Sequence, residues 1–520
     1  MNTAAGAVAA APSSAGVRIF AAEPDSEFTW DGVSSSRPER AETVTFHFSP
    51  EGTRFLLKRL FSRYIAEEAR PMLRLATPIV LAELGWMTMS VVDTMMVGRQ
   101  ANSAVAIGAV SIGSILYYAV AIFGTGLMLG LDTLVSRSFG AGDLEDTHRS
   151  LVNGVYLSFG LAPVLMGLVR LWEPLLRSLE IQRAVLDQAV PYLRALNWST
   201  PPLLLYFVFR RYLQGIDLAR PVMFSLLSAN LVNIVGNWAL IYGHLGLPAM
   251  GTAGSGWATC IGRIYMAAVL MVYCLYYDLR YKTGLLEASR WPHFRRVREL
   301  IGLGFPAAMQ LALEMGVFAV ATALIGKLGA VPLASHQIAL NTASITYMVP
   351  LGIGSAAAVR VAQGLGRRDP EAAGRAGWTA LALGAGFMTC TGIVFWVAPQ
   401  SIVRFYTPDP VVIHAASGLL FIAAFFQLFD GLQAVSTGAL RGAGDTRTPM
   451  ICSAALYWLL GLPLGNFLCF RVGWGAAGIW TGLCVALVLI GSTLLYAWHR
   501  RERSFLASTV SPKPAVLERR

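Results

Sequence analysis

The length of its apolar runs restricts this chain more than any other feature. Stretches such as Leu75–Val97 and Trp378–Ala398 stay apolar for about 20 residues, the length a helix needs to cross a bilayer core. Roughly twelve such runs follow one another, with cores near Leu75–Val97, Ile112–Leu131, Leu151–Leu168, Tyr192–Phe209, Val222–Tyr242, Trp257–Tyr277, Leu303–Ile325, Ile338–Val359, Trp378–Ala398, Ala415–Leu440, Met450–Phe470 and Ala476–Trp498. Barrel strands are short and alternate in hydropathy, so they do not produce such runs. Only 14% of the residues are charged, well below a soluble domain. The sequence therefore predicts an all-α polytopic membrane protein with twelve transmembrane helices.

The net charge of +11 does not point to nucleic acid, because the basic residues sit between the runs. Alternate connections carry them: Arg137 and Arg149 after the second run, Arg210, Arg211 and Arg220 after the fourth, Arg280 to Arg298 after the sixth, Arg360 to Arg375 after the eighth, and Arg441 and Arg447 after the tenth. The opposite connections are poorer, although the one after the third run holds Arg170, Arg177 and Arg183. The positive-inside rule puts both termini in the cytoplasm. The six cysteines all fall in apolar runs with no metal-ligand spacing, and read as small buried hydrophobes.

Residues 1–70 differ in composition and read as a disordered cytoplasmic extension or a misplaced start codon. Within them, Phe55 to Ile65 is basic and amphipathic, suited either to the membrane surface or to leading into the first span.

The chain repeats itself. Leu75-Ala76-Thr77-Pro78 returns as Leu303-Gly304-Phe305-Pro306, and the step from Pro78 to Pro306 also relates Val97-Gly98 to Ile325-Gly326. Gly140-Ala141-Gly142 meets Gly364-Leu365-Gly366, Leu213-Gln214-Gly215 meets Leu440-Arg441-Gly442, Pro221 meets Pro449, and Gly251 to Gly254 meets Gly475 to Gly478. Two pseudo-symmetric six-helix lobes follow, 71–285 and 286–500, with a cytoplasmic tail at 501–520. Repeated halves suit a substrate site near the midplane and rocking of one half on the other. Pro78 and Pro306 serve either as kinks or as helix initiators.

Acids inside the runs are the most informative residues. A carboxylate at the bilayer centre costs about 2.5–3.5 kcal/mol on insertion scales and so faces a cavity or a partner. Asp93, Glu314 and Asp430 lie in the first, seventh and tenth runs, and none has a Lys or Arg in its own run. Each is therefore expected to be protonated or paired with a bound cation. Glu83 sits about 80° round the helix from Asp93, at a partly wetted position near the membrane face. Asp132 closes the second run and reads as interfacial. Asn230, Asn233 and Asn237 share one helix face, where they either solvate an ion near Asp93 or join helices. Trp86, Tyr117, Tyr118, Tyr347 and Met348 are candidates to line a pocket for flat cations.

Specific motifs accompany these residues: Val92-Asp93-Thr94-Met95-Met96-Val97-Gly98, Pro306 to Val320, Ala334-Ser335-His336-Gln337-Ile338-Ala339-Leu340-Asn341, Gln427 to Gly442, and Tyr212-Leu213-Gln214-Gly215 with Arg220-Pro221. On them the chain resembles the multidrug and toxic compound extrusion (MATE) family, within it the bacterial Na⁺/H⁺-coupled multidrug exporters, over about Pro71 to Arg500. The resemblance implies that Glu314 is the cation-site glutamate and Asp430 the functional aspartate of the tenth span. Asn237 stands where archaeal-type members carry an Asp. That weakens a two-carboxylate site with Asp93 and shifts the main coupling site to Glu314 and Asp430. Asp93 contributes across the cavity, with Glu83, Asn233, Asn237, His336 and Gln337 as accessory polar groups. His336 can titrate near neutral pH, but the structural reading, a hydrogen-bonded ring, is favoured.

The expected activity is antiport, with organic and cationic small molecules exported in exchange for Na⁺ or H⁺. No cofactor, nucleic-acid partner or metal beyond Na⁺ is expected, and the setting is a monomer in the bacterial inner membrane. A lipid-linked precursor flippase is the alternative, but it favours a cationic cavity. A major-facilitator transporter lacks its basic motif here, and an intramembrane enzyme lacks any catalytic pattern in a credible context.

Overall fold

The computed structural model describes residues 50–100, 102–178, 182–287 and 291–510, with side chains over 67–507 apart from residues 175, 177 and 178. The extension before residue 50 and the tail from 511 lie outside the described residues; the stretch from Phe55 to Ile65 is helical backbone. The first compact unit ends at Leu56, and the body considered below begins at Leu57. Among the described residues every regular element is a helix.

Eleven helical stretches are long and apolar enough to cross a membrane. Span 1 is Glu67–Val97, span 2 Ser103–Gly140, span 3 Leu144–Pro174, span 5 Ala219–Tyr242 and span 6 Thr252–Tyr281. Span 7 is Phe294–Gly326, span 8 Ala330–Gly366, span 9 Pro370–Val397, span 10 Pro410–Gly442, span 11 Arg447–Phe470 and span 12 Ala476–Ala507. The fourth crossing is made of two helices, Arg183–Asn197 and Thr200–Gly215, each too short to span alone. The sequence reads it as one run. Pro201 and Pro202 explain the difference, because they lack the N–H groups that would bond back across Trp198 and Ser199. Such prolines are tolerated in a first turn, where those donors have no intrahelical acceptor. The chain is thus a multi-pass membrane protein of twelve crossings in two lobes.

The repeat is visible in local chemistry. Asp143 caps span 3 by accepting from the Asp146 N–H at 2.9 Å, and Asp369 caps span 9 through the Ala372 N–H at 2.9 Å. The turn after span 4 puts Asp217 at φ 65°, and the turn after span 10 puts Gly444 at φ 81°. Three expectations need correction. Pro78 and Pro306 are not helix initiators: each lies inside a helix that begins well before it, so the preceding carbonyls lose a donor mid-helix. Cys390 is exposed rather than buried. Arg210 and Arg211 are not loop residues but lie on the helix Thr200–Gly215, with 1% and 5% of their surface exposed.

The lobes meet at the end of the bundle that carries the basic connections. Three ion pairs cross between them there: Glu68 with Arg360 at 2.6 Å, Asp146 with Arg296, and Asp132 with Arg441 at 3.3 Å. The Gln363 amide donates to the Gly215 carbonyl at 3.1 Å, and Phe123 meets Phe305 edge to face at 5.7 Å. Glycines let backbone touch backbone along this seam. Gly140 lies on Gln363, Gly366 on Arg137 and Gly304 on Leu127, so closely that a Cβ at any of them would overlap the facing main chain. The second lobe's apolar core reaches across at the same end to Met72, Leu75 and Ile79 of span 1. The bundle is therefore sealed at its basic end.

Candidate cation site and the buried charges

Glu314 sits half-buried in the middle of span 7. Gln310, one turn earlier on the same face, donates to its Oε1 at 3.0 Å; Gln433 of span 10 does so at 2.8 Å and Ser453 of span 11 at 3.1 Å. Hydrogen bonds to a charged group contribute roughly 1.5–3 kcal/mol each, enough together to hold the carboxyl in one orientation. The Tyr457 hydroxyl donates to the Gln433 Oε1 at 3.1 Å and so fixes which end of that amide faces Glu314.

Span 11 reaches this site through an irregularity. Ala454–Gly461 is a π-helical segment, a rare widened turn that occurs mostly at functional positions. It places Tyr457 against Gln433 and lets the Trp458 indole donate to the Leu313 carbonyl at 3.2 Å. Trp458 also packs on Gly316, where a Cβ would stand 3.0 Å from its ring.

Asp430, three residues before Gln433 on span 10, is close enough to interact electrostatically with Glu314. Among the described residues no protein donor or cation pairs with the Asp430 carboxylate, and the three donors to Glu314 all choose Oε1, leaving Oε2 free of them. Two carboxyls with unused oxygens and no basic partner form a place for a proton or a hard cation, which favours oxygen ligands. No cluster of three acidic, His or Cys groups suited to a metal ion occurs among the described residues.

Asp93, 8% exposed, lies in the other lobe. Asn237 donates to its Oδ1 at 2.6 Å and Thr259 to its Oδ2 at 3.0 Å, while Asn237 also donates to the Asn233 side-chain Oδ1 at 3.1 Å. Asn230 is not part of this chain; it donates to the Gly85 carbonyl at 3.1 Å. Below Thr259 on the same face of span 6 is Arg263, 1% exposed. Its guanidinium donates to Tyr117 at 2.8 Å, Ser199 at 2.6 Å and Tyr118 at 3.0 Å, and lies over the rings of Trp86, Tyr117 and Tyr118. Tyr117 is fully buried, so it cannot line a cavity as the sequence suggests; it holds Arg263 instead.

Glu83 and Asp132 also depart from expectation. Glu83 is not left to water but is paired with the buried Arg210. Asp132 is not interfacial. It is 1% exposed and lies between Arg211 of its own lobe, at 3.4 Å, and Arg441 of the other, at 3.3 Å. The Arg441 Nε contact is a charge contact rather than an aligned hydrogen bond. The Thr133 hydroxyl adds a bond to the Arg441 carbonyl at 2.6 Å.

His336 is buried with both ring nitrogens engaged. Nδ1 accepts from the Trp480 indole at 3.0 Å, so the ring proton sits on Nε2. Thr322, which gives its own proton to the Phe318 carbonyl, accepts from Nε2 at 2.9 Å. Gln337 is exposed and pairs with Asn341 at 3.3 Å, away from the acids. Tyr347 and Met348 are half-buried on span 8.

Sequence reading missed Gln310, Gln433, Ser453, Tyr457, Thr259 and Arg263 as members of these sites. A signal existed for three of them. Gln310 and Gln433 stand one turn from Glu314 and Asp430, and Arg263 is a cation in the middle of an apolar run. Ser453 and Tyr457 carry no such mark, because the π-helical segment changes the register of their helix.

Comparison with known proteins places this arrangement. The MatE family model matches residues 78–239 and again 306–467, the same step that relates Pro78 to Pro306. The chain belongs to the MatE family and is a multi-pass membrane transporter of it. A relative named probable multidrug resistance protein NorM, from Mesorhizobium japonicum, is 38% identical over 84% of this chain and 95% of its own length. The multidrug resistance protein NorM of Burkholderia vietnamiensis is 35% identical over 86% and 96%. The multidrug resistance protein MdtK of Edwardsiella ictaluri is 32% identical over 87% and 98%. The crystal structure of the eukaryotic MATE transporter AtDTX14 shares the fold with a TM-score of 0.75 at 22% identity, covering 85% of this chain and 99% of that one.

Proposed function

We propose that this transporter is a secondary active antiporter that exports small organic, cationic, multidrug-like compounds in exchange for Na⁺ or H⁺. The observation that carries the reading is the Glu314–Asp430 pair, with oxygens that no protein donor uses and no basic partner among the described residues. Cation binding there lowers the energy of one conformer relative to the other, and that difference in affinity drives the exchange. The relatives' names support the substrate class.

The lobes correspond to residues 71–285 and 286–500, each with six crossings. Both termini face the cytoplasm of a bacterium, the protein sits in its inner membrane as a monomer, and the sealed basic end is the cytoplasmic one. The conformer is then open outward, the state that takes up the coupling cation and releases substrate. A flippase would need cationic groups facing the cavity. Arg263 does not meet that need, because it is 1% exposed with its donors taken by hydroxyls.

The test is export of a fluorescent organic cation, read as its uptake into inverted vesicles, with Na⁺ and pH gradients imposed separately. Glu314→Gln and Asp430→Asn are expected to abolish gradient-driven efflux. Normal efflux by both variants would sink the coupling assignment, and failure of the wild type to move any cation of the panel would sink the substrate class.

A further inference from the structure

A cleft of about 590 Å³ lies at the basic end of the bundle, away from the Glu314–Asp430 pair. It is framed by the start of span 7, the turn that leads into span 11 and the end of span 12, and Leu134 of span 2 bounds it from the other lobe. Its volume is within the range of small-molecule sites.

Four charged side chains line this cleft: Glu299, Asp445, Arg447 and Arg501. The two acids are engaged. Glu299 accepts from Arg296 at 3.0 Å and from Arg295 at 3.3 Å. Asp445 accepts from the Thr448 N–H at 3.0 Å and from its hydroxyl at 2.7 Å. The two arginines are exposed, and among the described residues neither forms an ion pair; Arg501 lies over the Phe505 ring at 5.4 Å. The donors left for a ligand are therefore two guanidiniums, whose planar forks match phosphate oxygens. Glu299 is answered by its own arginines, so Arg447 and Arg501 against Asp445 leave a single positive charge, the charge that one phosphodiester matches.

The rest of the lining is apolar. Leu134, Gly302 and Leu303 carry no polar side chain, and Ile301 beside them is 40% exposed. A free phosphate would use only the basic side of such a cleft, whereas an acylated one uses both. Basic pockets between spans on the cytoplasmic side suit anionic lipid headgroups.

The framework does not demand these arginines. The step from Pro221 to Pro449 puts Ala219 where the second lobe has Arg447, and the step from Gly254 to Gly478 puts Tyr277 where it has Arg501. Positive-inside placement explains basic connections, but not two unpaired guanidiniums in one cleft of one lobe.

We propose that this cleft is a binding site for a monoanionic phospholipid, with the headgroup phosphate on Arg447 and Arg501 and the acylated part along Leu134, Gly302 and Leu303. The leaflet follows from the orientation given above; the site itself does not depend on it, nor on the Glu314–Asp430 reading.

The experiment uses the purified full-length chain in detergent. Native mass spectrometry reads lipid retention and apparent melting temperature reads stabilisation, with phosphatidylglycerol as probe and phosphatidylethanolamine and inorganic phosphate for comparison. The wild type is expected to retain phosphatidylglycerol selectively and to melt higher with it. Arg447→Gln/Arg501→Gln should weaken that binding by about tenfold or more, the scale of a lost hydrogen bond to a charged group. Gly302→Trp should weaken it too, because position 302 has open space for a side chain that fills the apolar side without altering a charge. Arg298→Gln/Arg503→Gln removes two exposed arginines of the same end that do not line the cleft, and should bind as wild type does. Unchanged binding by Arg447→Gln/Arg501→Gln overturns the proposal, and so does an equal loss in Arg298→Gln/Arg503→Gln, which would reduce the effect to general surface charge. Unchanged binding by Gly302→Trp overturns the placement in the cleft. Inorganic phosphate bound as tightly as phosphatidylglycerol overturns the lipid source, and phosphatidylethanolamine retained as strongly overturns the charge match.

Discussion

Replacing Asp132 by Asn should unlatch the basic end. The carboxylate lies between Arg211 and Arg441, which come from opposite lobes, and all three are nearly or fully withdrawn from water. At an effective dielectric of 20, a unit-charge pair at 3.4 Å attracts by about 5 kcal/mol before desolvation. Removing one partner of a buried pair usually costs about 3–5 kcal/mol. The contacts here are long, and the Arg441 Nε is poorly aligned, so the lower end, about 3 kcal/mol, is the better figure. At about 1.4 kcal/mol per factor of ten, the sealed conformer loses roughly two orders of magnitude in relative population. Spin labels at Leu144→Cys and Arg368→Cys, in a background with the exposed Cys390 replaced by Ser, report the separation of the lobes at this end. The variant should add a longer-distance population. Adding Arg441→Gln should partly restore the short one, because it removes the guanidinium left unpaired. An unchanged distance distribution in Asp132→Asn, or effects that merely add, would refute the latch.

Two further outcomes follow from the packing and the hydrogen bonds. Gly304→Ala should also weaken the seal, by about 1–3 kcal/mol of overpacking, since its Cβ would overlap the Leu127 main chain; Gly302→Ala, which has open space, is the matched control in the same distance measurement. His336→Phe should lower apparent thermal stability, about 1–3 kcal/mol for the orphaned Trp480 donor, yet leave the pH profile of efflux in place. A shifted profile would mean that the ring titrates during transport.

The sequence makes the architecture legible because membrane burial writes itself into run length and repeats. It fails where structure depends on what one span meets in another. The break at Trp198–Ser199 is marked by Pro201 and Pro202, yet apolar content alone joins its two halves. Glu314 and Asp430 stand out as acids in apolar runs, but the convergence of Gln310, Gln433 and Ser453 on a single oxygen is a property of three helices. Arg210, Arg211 and Arg441 look like ordinary positive-inside residues. Only the approach of the lobes shows that Arg441 and Asp132 face each other. A pattern read one run at a time cannot show that Arg263 donates to Tyr117 and Tyr118 of span 2 and to Ser199.

The glycine seam has a consequence for how such a transporter can change over generations. Where bulky side chains interdigitate, a substitution on one face can be absorbed by another opposite it. Gly140 on Gln363 and Gly366 on Arg137 present main chain to their partners, and main chain has no alternative shape to offer. Where side chains meet side chains elsewhere in the bundle, a substitution can be refitted while the seam stays as it is. A change along the seam must therefore be absorbed by shifting whole helices rather than by refitting one side chain.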